Sequence, residues 1–199
     1  MKILTLDVSL NSTGFCFYDN KSKNKINFGV IENEKIENEN LKFFYKSRNV
    51  LFNVREILKK YTPDVIVIEG VLFFLKGNVF VEIVSINYMV RQLILEEYDK
   101  LQTLIITPPT VFKKLFLKGN AKKKELTEKV LKQFDLKIDK EKYKKEDDIC
   151  DAIMFLYCFL TKKEELLAKS IVINKIEKKE NEILIKEDEL ILENDFNTY

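Results

Sequence analysis

The chain has 199 residues, of which 46% are hydrophobic, and its formal net charge at pH 7 is +2. That length and apolar content predict one domain with a substantial core, followed by a short appendage. The near balance of charge excludes a chain that is basic throughout, and the complete lack of histidine excludes histidine triads, histidine metal ligands and histidine general bases.

The three cysteines argue against a disulfide framework or a zinc site. Cys16, Cys150 and Cys158 are far apart or helix-spaced, and the sequence has no C-x-x-C motif. This usage is typical of a reducing cytoplasm. Strand-like residues begin at once rather than a signal peptide, and no apolar run approaches the length of a membrane span. We therefore expect a cytoplasmic protein with no membrane partner, and the many Lys, Asn and Ile residues are typical of an AT-rich bacterial or viral genome.

The first part of the chain alternates between strand and helix patterns. A hairpin opens the sequence, and Gly14 stands where its turn needs a small residue. A polar loop and an amphipathic helix over 41–60 come before a run of β-branched residues that is typical of a strand buried on both faces. The predicted strands of this part lie at 2–8, 14–19, 26–32 and 65–68.

The second part of the chain predicts one further strand, over 101–109, and several helices. The helices are expected at 80–100, at 110–117, from about 124 to 134 and at 147–160. This order predicts an α/β fold with a mixed sheet. We assign 1–160 to the folded domain and 161–199 to a C-terminal extension, either a hairpin-like appendage or a mobile segment.

The charge is unevenly spread along the chain. Between Lys113 and Lys145 there are 13 lysines against 5 acids, whereas 171–199 holds 4 lysines against 8 acids. A basic segment of this kind indicates a polyanionic partner, although a solvated helix face would have the same composition.

Four acids stand at the ends of predicted elements. Asp7 and Glu69 each end an apolar strand, and Asp148 and Asp151 lie one turn apart at the start of the last core helix. A carboxylate at the end of a buried strand is costly unless it is paired or holds a metal. Helix capping could explain Asp147 and Asp148 and is the preferred explanation for Asp147, but it serves Asp151 less well, because Asp151 lies further into the helix and near its apolar face.

Four acids brought together without histidine would repel one another unless cations lay between them. Carboxylate oxygens favour Mg2+, and Mn2+ can substitute for it. Two such ions about 4 Å apart can activate a water and stabilise the leaving oxygen of a phosphodiester. The lysine-rich segment would supply contacts to phosphate.

Three motifs in order resemble the RuvC-type Holliday-junction resolvases. They are D-x-S-x-N-x-T-G at 7–14, VIVIEG at 65–70 and D-x-x-D-A at 148–152, and the first is closest to the phage and bacterial branch. The resemblance covers about 1–160 and implies a ribonuclease H-like mixed β-sheet flanked by helices. It also implies a catalytic, metal-binding tetrad, which matches Asp7, Glu69, Asp148 and Asp151.

A further stretch resembles the DNA-contacting part of that family. Pro108, Val111, Gly119, Ala121 and Lys123 match its P-x-x-V and G-x-A-x-K segments. The chain departs from the family pattern at Leu117, Phe112 and Leu72, where a glycine, a basic residue and an aromatic residue are usual. The DNA-binding residues expected from this region and its lysine run are Lys118, Lys122, Lys123, Lys124, Phe73 and Phe74, although both phenylalanines could equally belong to the core.

Together these features predict a crossover junction endodeoxyribonuclease that cuts branched DNA, above all four-way junctions, by paired nicks. Symmetric cutting needs two active sites, so we expect a homodimer with two Mg2+ ions per site, and helix 80–100 as its interface. Three alternatives stay open from the sequence: a nuclease of RNA–DNA hybrids, a nucleotide-binding ATPase-type relative, and a non-catalytic junction-binding protein.

Overall fold

The computed structural model describes residues 1–22, 26–71, 77–98, 102–116, 123–134, 136 and 146–174 of the chain. Within these ranges six strands form one mixed sheet in which the β1–β4 and β4–β5 pairs are parallel and the other three pairs antiparallel. The order across the sheet is β3-β2-β1-β4-β5-β6. The strands are β1 (Lys2–Asp7), β2 (Ser12–Asp19), β3 (Ile26–Glu32), β4 (Val65–Glu69), β5 (Thr103–Thr107) and β6 (Ile171–Asn174).

Helices cover both faces of this sheet. Two of them pack on one face, where they bury one set of alternate strand residues. The others pack on the opposite face and bury the second set. The first pair is α1 (Glu39–Tyr61) and α2 (Asn78–Glu97), and the other helices are α3 (Pro109–Phe116), α4 (Lys123–Gln133), α5 (Glu146–Thr161) and α6 (Lys163–Leu167).

The side-chain alternation along β1 and β4 separates the two cores. Leu4 and Leu6 of β1 lie in the core beneath α1 and α2, whereas Ile3 lies in the core beneath α5. Val65 and Val67 of β4 also belong to the α5 side. Because side chains alternate along a strand, the last residue of each of these strands also falls on the α5 face.

Helix α5 is the central element of its layer. Nine of its sixteen residues are buried, since apolar side chains occupy nearly every position after its acidic first turn. Phe155 stacks on Phe112 of α3 with the ring centroids 3.9 Å apart. Burial of so much apolar surface fixes α5 on the sheet and with it the position of the acidic first turn.

The α/β fold with a mixed sheet flanked by helices, as predicted from the sequence, is confirmed. All the predicted strands are present, with ends that shift by a few residues. Gly14 was expected in the first turn, but it lies inside β2, opposite Asp7 of β1. The small residue is needed there for helix packing rather than for a turn, as shown below.

The predicted C-terminal extension contributes to the sheet in its described part. Residues 163–167 form α6, and β6 pairs antiparallel with β5 at the sheet edge. The division of the chain at residue 160 stays a prediction, and 175–199 lie outside the described residues. No helix among the described residues is long and apolar enough to span a bilayer.

The cysteines provide a test of the α5 core. Cys16, Cys150 and Cys158 are buried and form no disulfide with one another, and burial raises the pKa of the Cys158 thiol to about 12 and that of Cys16 further still. Because only the thiolate reacts readily, we expect no alkylation of the native protein by iodoacetamide at pH 8. Mass spectrometry should show all three thiols modified after denaturation. Rapid labelling of the native protein would contradict the packing described here.

Candidate metal centre

The carboxyl ends of three parallel strands meet at one edge of the sheet. Leu6 of β1 pairs with Ile68 of β4, so the next step of the register places Asp7 beside Glu69. Glu69 in turn pairs with Thr107, the last residue of β5. Sites in open α/β sheets gather at such an edge because neighbouring connections diverge there.

Helix α5 begins at the same edge of the sheet, because Gly14 of β2 has no side chain and the first turn of α5 can pack directly against the strand backbone. A Cβ atom built on Gly14 would collide with the backbone carbonyl of Asp148 and would lie 3.2 Å from the nitrogen of Ile149. Gly14 lies opposite Asp7 in the antiparallel β1–β2 pair. The lack of a side chain at Gly14 therefore brings the first turn of α5 next to the end of β1.

A buried hydroxyl also fixes α5 on β1. The Thr5 side chain is fully buried, and its Oγ1 donates to the backbone carbonyl of Ala152 at 2.6 Å. The same oxygen lies 3.2 Å from the carbonyl of Cys16 on β2. One side chain thus links two strands to the second turn of the helix. A threonine within an apolar strand was the only sequence signal for this contact, and the sequence analysis did not use it.

Three of the four predicted acids converge. Asp7, Asp148 and Asp151 each offer a carboxylate oxygen, and these three oxygens lie within 4.8 Å of one another. Asp148 also accepts a hydrogen bond from the hydroxyl of Ser12 at the start of β2. Ser12 occupies an unspecified position of the D-x-S-x-N-x-T-G motif, and no role was predicted for it. The structure gives it the role of orienting a carboxylate of the group.

Glu69 lies next to this group but is not a member of it. The strand register places Glu69 beside Asp7. Its carboxylate, however, is not among the described carboxylates that lie within 4.8 Å of one another. Its backbone is held on both sides, because Asn87 of α2 donates to the Glu69 carbonyl at 2.9 Å and the Gly70 nitrogen donates to the Thr107 carbonyl at 2.7 Å. Asn87 is a further residue that the sequence analysis missed.

The group of Asp7, Asp148 and Asp151 is chemically suited to a hard divalent cation. Three carboxylates this close repel one another, and a cation between them would relieve that repulsion. Oxygen-only ligands favour Mg2+ or Mn2+ over zinc or copper. The donor set therefore fits the metal that the sequence predicts, and the register places Glu69 on the strand next to Asp7.

The structure describes no side-chain contacts for the other predicted site residues. Lys118, Lys122, Phe73 and Phe74 lie outside the described residues. Lys123 and Lys124 form the start of α4, where the backbone is described but the side chains are not. Their contacts with DNA stay predictions.

Gly14→Ala tests the close approach of α5. We expect the added methyl group to push the first turn of α5 away from β1, which weakens Mn2+ binding and lowers stability by about 1–3 kcal/mol. Calorimetric titration with Mn2+ and a thermal melt measure the two effects.

Gly29→Ala is the matched control, because its new methyl group would meet the ring of Phe15, which can rotate away. Mn2+ binding should change little in that variant. A Gly14→Ala protein with unaltered stability and Mn2+ affinity would contradict the proposed packing constraint.

Comparison with known proteins supports the fold assignment. No family model and no curated protein matches the sequence. The structure of Thermus thermophilus RuvC is similar over 87% of this chain and 100% of its own, with a TM-score of 0.60 and 14% identity. The T. thermophilus RuvC structure in complex with Holliday junction substrate is similar over 86% of this chain and 100% of its own, with a TM-score of 0.60 and 14% identity. The yeast mitochondrial Holliday junction resolvase Ydc2 is similar over 82% of this chain and 81% of its own, with a TM-score of 0.53 and 13% identity. The chain therefore has the ribonuclease H-like fold of the RuvC structures.

Proposed function

We propose that this chain is a metal-dependent endonuclease that resolves four-way DNA junctions by paired phosphodiester hydrolysis. The observation that carries the proposal is the convergence of Asp7, Asp148 and Asp151 at the carboxyl edge of a RuvC-like sheet. The position of Glu69 beside Asp7 supports its role as the fourth acid. One of the similar RuvC structures is a complex with Holliday junction substrate, and Ydc2 is a Holliday junction resolvase, which favours the same substrate here.

The four acids would hold two Mg2+ ions, with Mn2+ able to substitute. When bound, such ions lower the pKa of water and neutralise charge on the leaving oxygen of a phosphodiester. Asp7 is the best candidate for the shared ligand, because it lies between Glu69 on the neighbouring strand and the acids of α5. Ser12 would keep the Asp148 carboxylate oriented through the hydrogen bond that it already donates.

The lysine-rich segment would bind the phosphate backbone next to these acids. Helix α3 begins two residues after β5 ends, so it starts at the sheet edge that carries the site. Lys113 and Lys114 of α3 are exposed. Together with Lys118 and 122–124 they would position DNA without reading its sequence.

An exposed apolar stripe on α2 supports a homodimer. Val81, Tyr88 and Leu95 are 60%, 53% and 43% exposed, and their seven-residue spacing places them on one face of the helix. The stripe is symmetric about Tyr88. In an antiparallel α2–α2 contact around a two-fold axis, Val81 of one protomer would therefore meet Leu95 of the other. A two-fold dimer provides the two active sites that paired nicks require.

Removing one carboxylate should abolish cleavage but not binding. We expect Asp7→Asn, Asp151→Asn and Glu69→Gln to lower the rate of cleavage of a synthetic four-way junction in Mg2+ by about 100-fold or more, since each removes a metal ligand. A mobility-shift assay should show that junction binding is kept, because the lost charge repels phosphate.

Asp147→Asn is the control for these variants. Asp147 lies in the same first turn of α5 but outside the converging group, so its loss should cost at most about 1 kcal/mol of helix stabilisation and leave cleavage intact. Wild-type-like cleavage by Asp7→Asn would remove the proposed mechanism. An RNA–DNA hybrid in the same assay distinguishes the proposed substrate from the alternative one, since preferential cleavage of the hybrid would overturn the junction assignment.

A charge at the centre of the α2 stripe should dissociate the dimer. Tyr88→Glu would bring two like charges together on the two-fold axis, so sedimentation should show a monomer at concentrations where the wild type is a dimer. Phe52→Glu is the matched control, because Phe52 of α1 is 58% exposed but lies outside the stripe. Dissociation by Phe52→Glu alone would place the interface on α1 instead.

A further inference from the structure

Lys46 is a buried cation for which the proposed mechanism has no use. It lies on α1, its side chain is only 6% exposed, and its Nζ donates to the side-chain oxygen of Asn11 at 2.6 Å. A lysine is rarely buried to this extent, and the partner that the structure gives it is a neutral amide. The burial of so long a side chain calls for a physical explanation.

Asn11 belongs to the short turn that joins two parts of the metal centre. The turn runs from Val8 to Asn11, directly after Asp7 at the end of β1 and directly before Ser12 at the start of β2. Ser12 donates its hydroxyl to Asp148. The conformation of this turn therefore sets the distance between one metal-binding carboxylate and the group that orients another.

A small network of hydrogen bonds connects this turn to Asn33 and to helix α1. The Asn33 backbone nitrogen donates to the Asn11 carbonyl at 3.0 Å, and its side-chain amide donates to the Leu10 carbonyl at 2.7 Å and the Lys46 carbonyl at 3.2 Å. Asn49, on the turn of α1 after Lys46, donates to the side-chain oxygen of Asn33 at 2.9 Å. Within this network Lys46 supplies the contact to the side chain of Asn11.

We propose that Lys46 is a positioning residue of the metal centre, which holds the turn between Asp7 and Ser12 in the geometry that binds the divalent cation. Lys46 acts through Asn11 and is not itself one of the candidate metal ligands. The inference rests on the proposed function, since it assigns a role towards the metal that the four acids would hold.

The sign of the effect separates positioning from the two simpler roles. If Lys46 acted only through its charge, its removal would strengthen the attraction of the site for a cation. If it served only stability, its loss would lower the melting temperature and leave the metal affinity of the folded protein unchanged. A positioning role predicts weaker metal binding with little change in the melting temperature, because Met can keep the packing of the long side chain.

The test is a calorimetric titration of the DNA-free, full-length protein with Mn2+, together with a thermal melt of each variant. We expect Lys46→Met to weaken Mn2+ binding by about threefold to tenfold, less than the loss of a direct hydrogen-bond partner of a metal ligand would cause, because Lys46 acts one contact further out. Asn11→Ala, which keeps the ammonium and removes its acceptor at an exposed position, should weaken binding in the same direction. Lys59→Met is the matched control, because Lys59 is an exposed lysine of the same helix that pairs with Glu56.

The outcomes distinguish this inference from the proposed function. Weaker binding in both test variants and unchanged binding in Lys59→Met supports the positioning role. Wild-type or tighter Mn2+ binding in Lys46→Met and Asn11→Ala overturns it while leaving the nuclease proposal intact. A wild-type protein that binds no Mn2+ and cleaves no junction overturns both.

Discussion

The contact between the first turn of α5 and strands β1 and β2 is the constraint on which the candidate site depends. Apolar burial along α5 supplies the driving force, and Gly14 and Thr5 fix the place where the helix begins. As a consequence Asp148 and Asp151 arrive beside Asp7. The carboxylate oxygens of these three residues lie within 4.8 Å of one another. Two unit negative charges at that distance repel by about 3 kcal/mol at an effective dielectric constant near 20, so the fold brings together carboxylates that would otherwise separate.

At the sheet edge that carries the acids, apolar packing positions whole helices and strands, whereas polar contacts position individual groups. The two cores determine which helix lies over which strand, but they leave the last turns and strand ends free to adjust. Hydrogen bonds from Thr5, Ser12 and Asn87 then fix a helix carbonyl, a carboxylate and the backbone of Glu69. Such contacts orient ligands that the core alone would leave loosely placed.

The sequence could predict the acids because their positions follow from simple periodicities. A strand that ends in a carboxylate and a helix with an acidic first turn are visible in Asp7, Glu69 and the 147–151 segment. The sequence allowed a hairpin-like appendage in 161–199, but it could not predict that β6 pairs with β5 at the sheet edge, because that pairing depends on tertiary contacts. Nor could it distinguish a glycine in a turn from one beneath a helix, as at Gly14, or a buried lysine from an exposed one, as at Lys46, since those distinctions depend on tertiary contacts.

The sheet separates the two surfaces that junction resolution would require. The acids lie at the sheet edge on the α5 face, whereas α2 and its exposed stripe lie on the opposite face. A dimer formed through α2 would therefore leave α5 and the adjoining strand ends uncovered in both protomers. Because Asn87 of α2 also holds the backbone of Glu69, the helix that would form the interface is directly connected to one acid of the site. In the proposed dimer, Asn87 would therefore link the interface helix to the backbone of Glu69 and leave the edge with the acids uncovered.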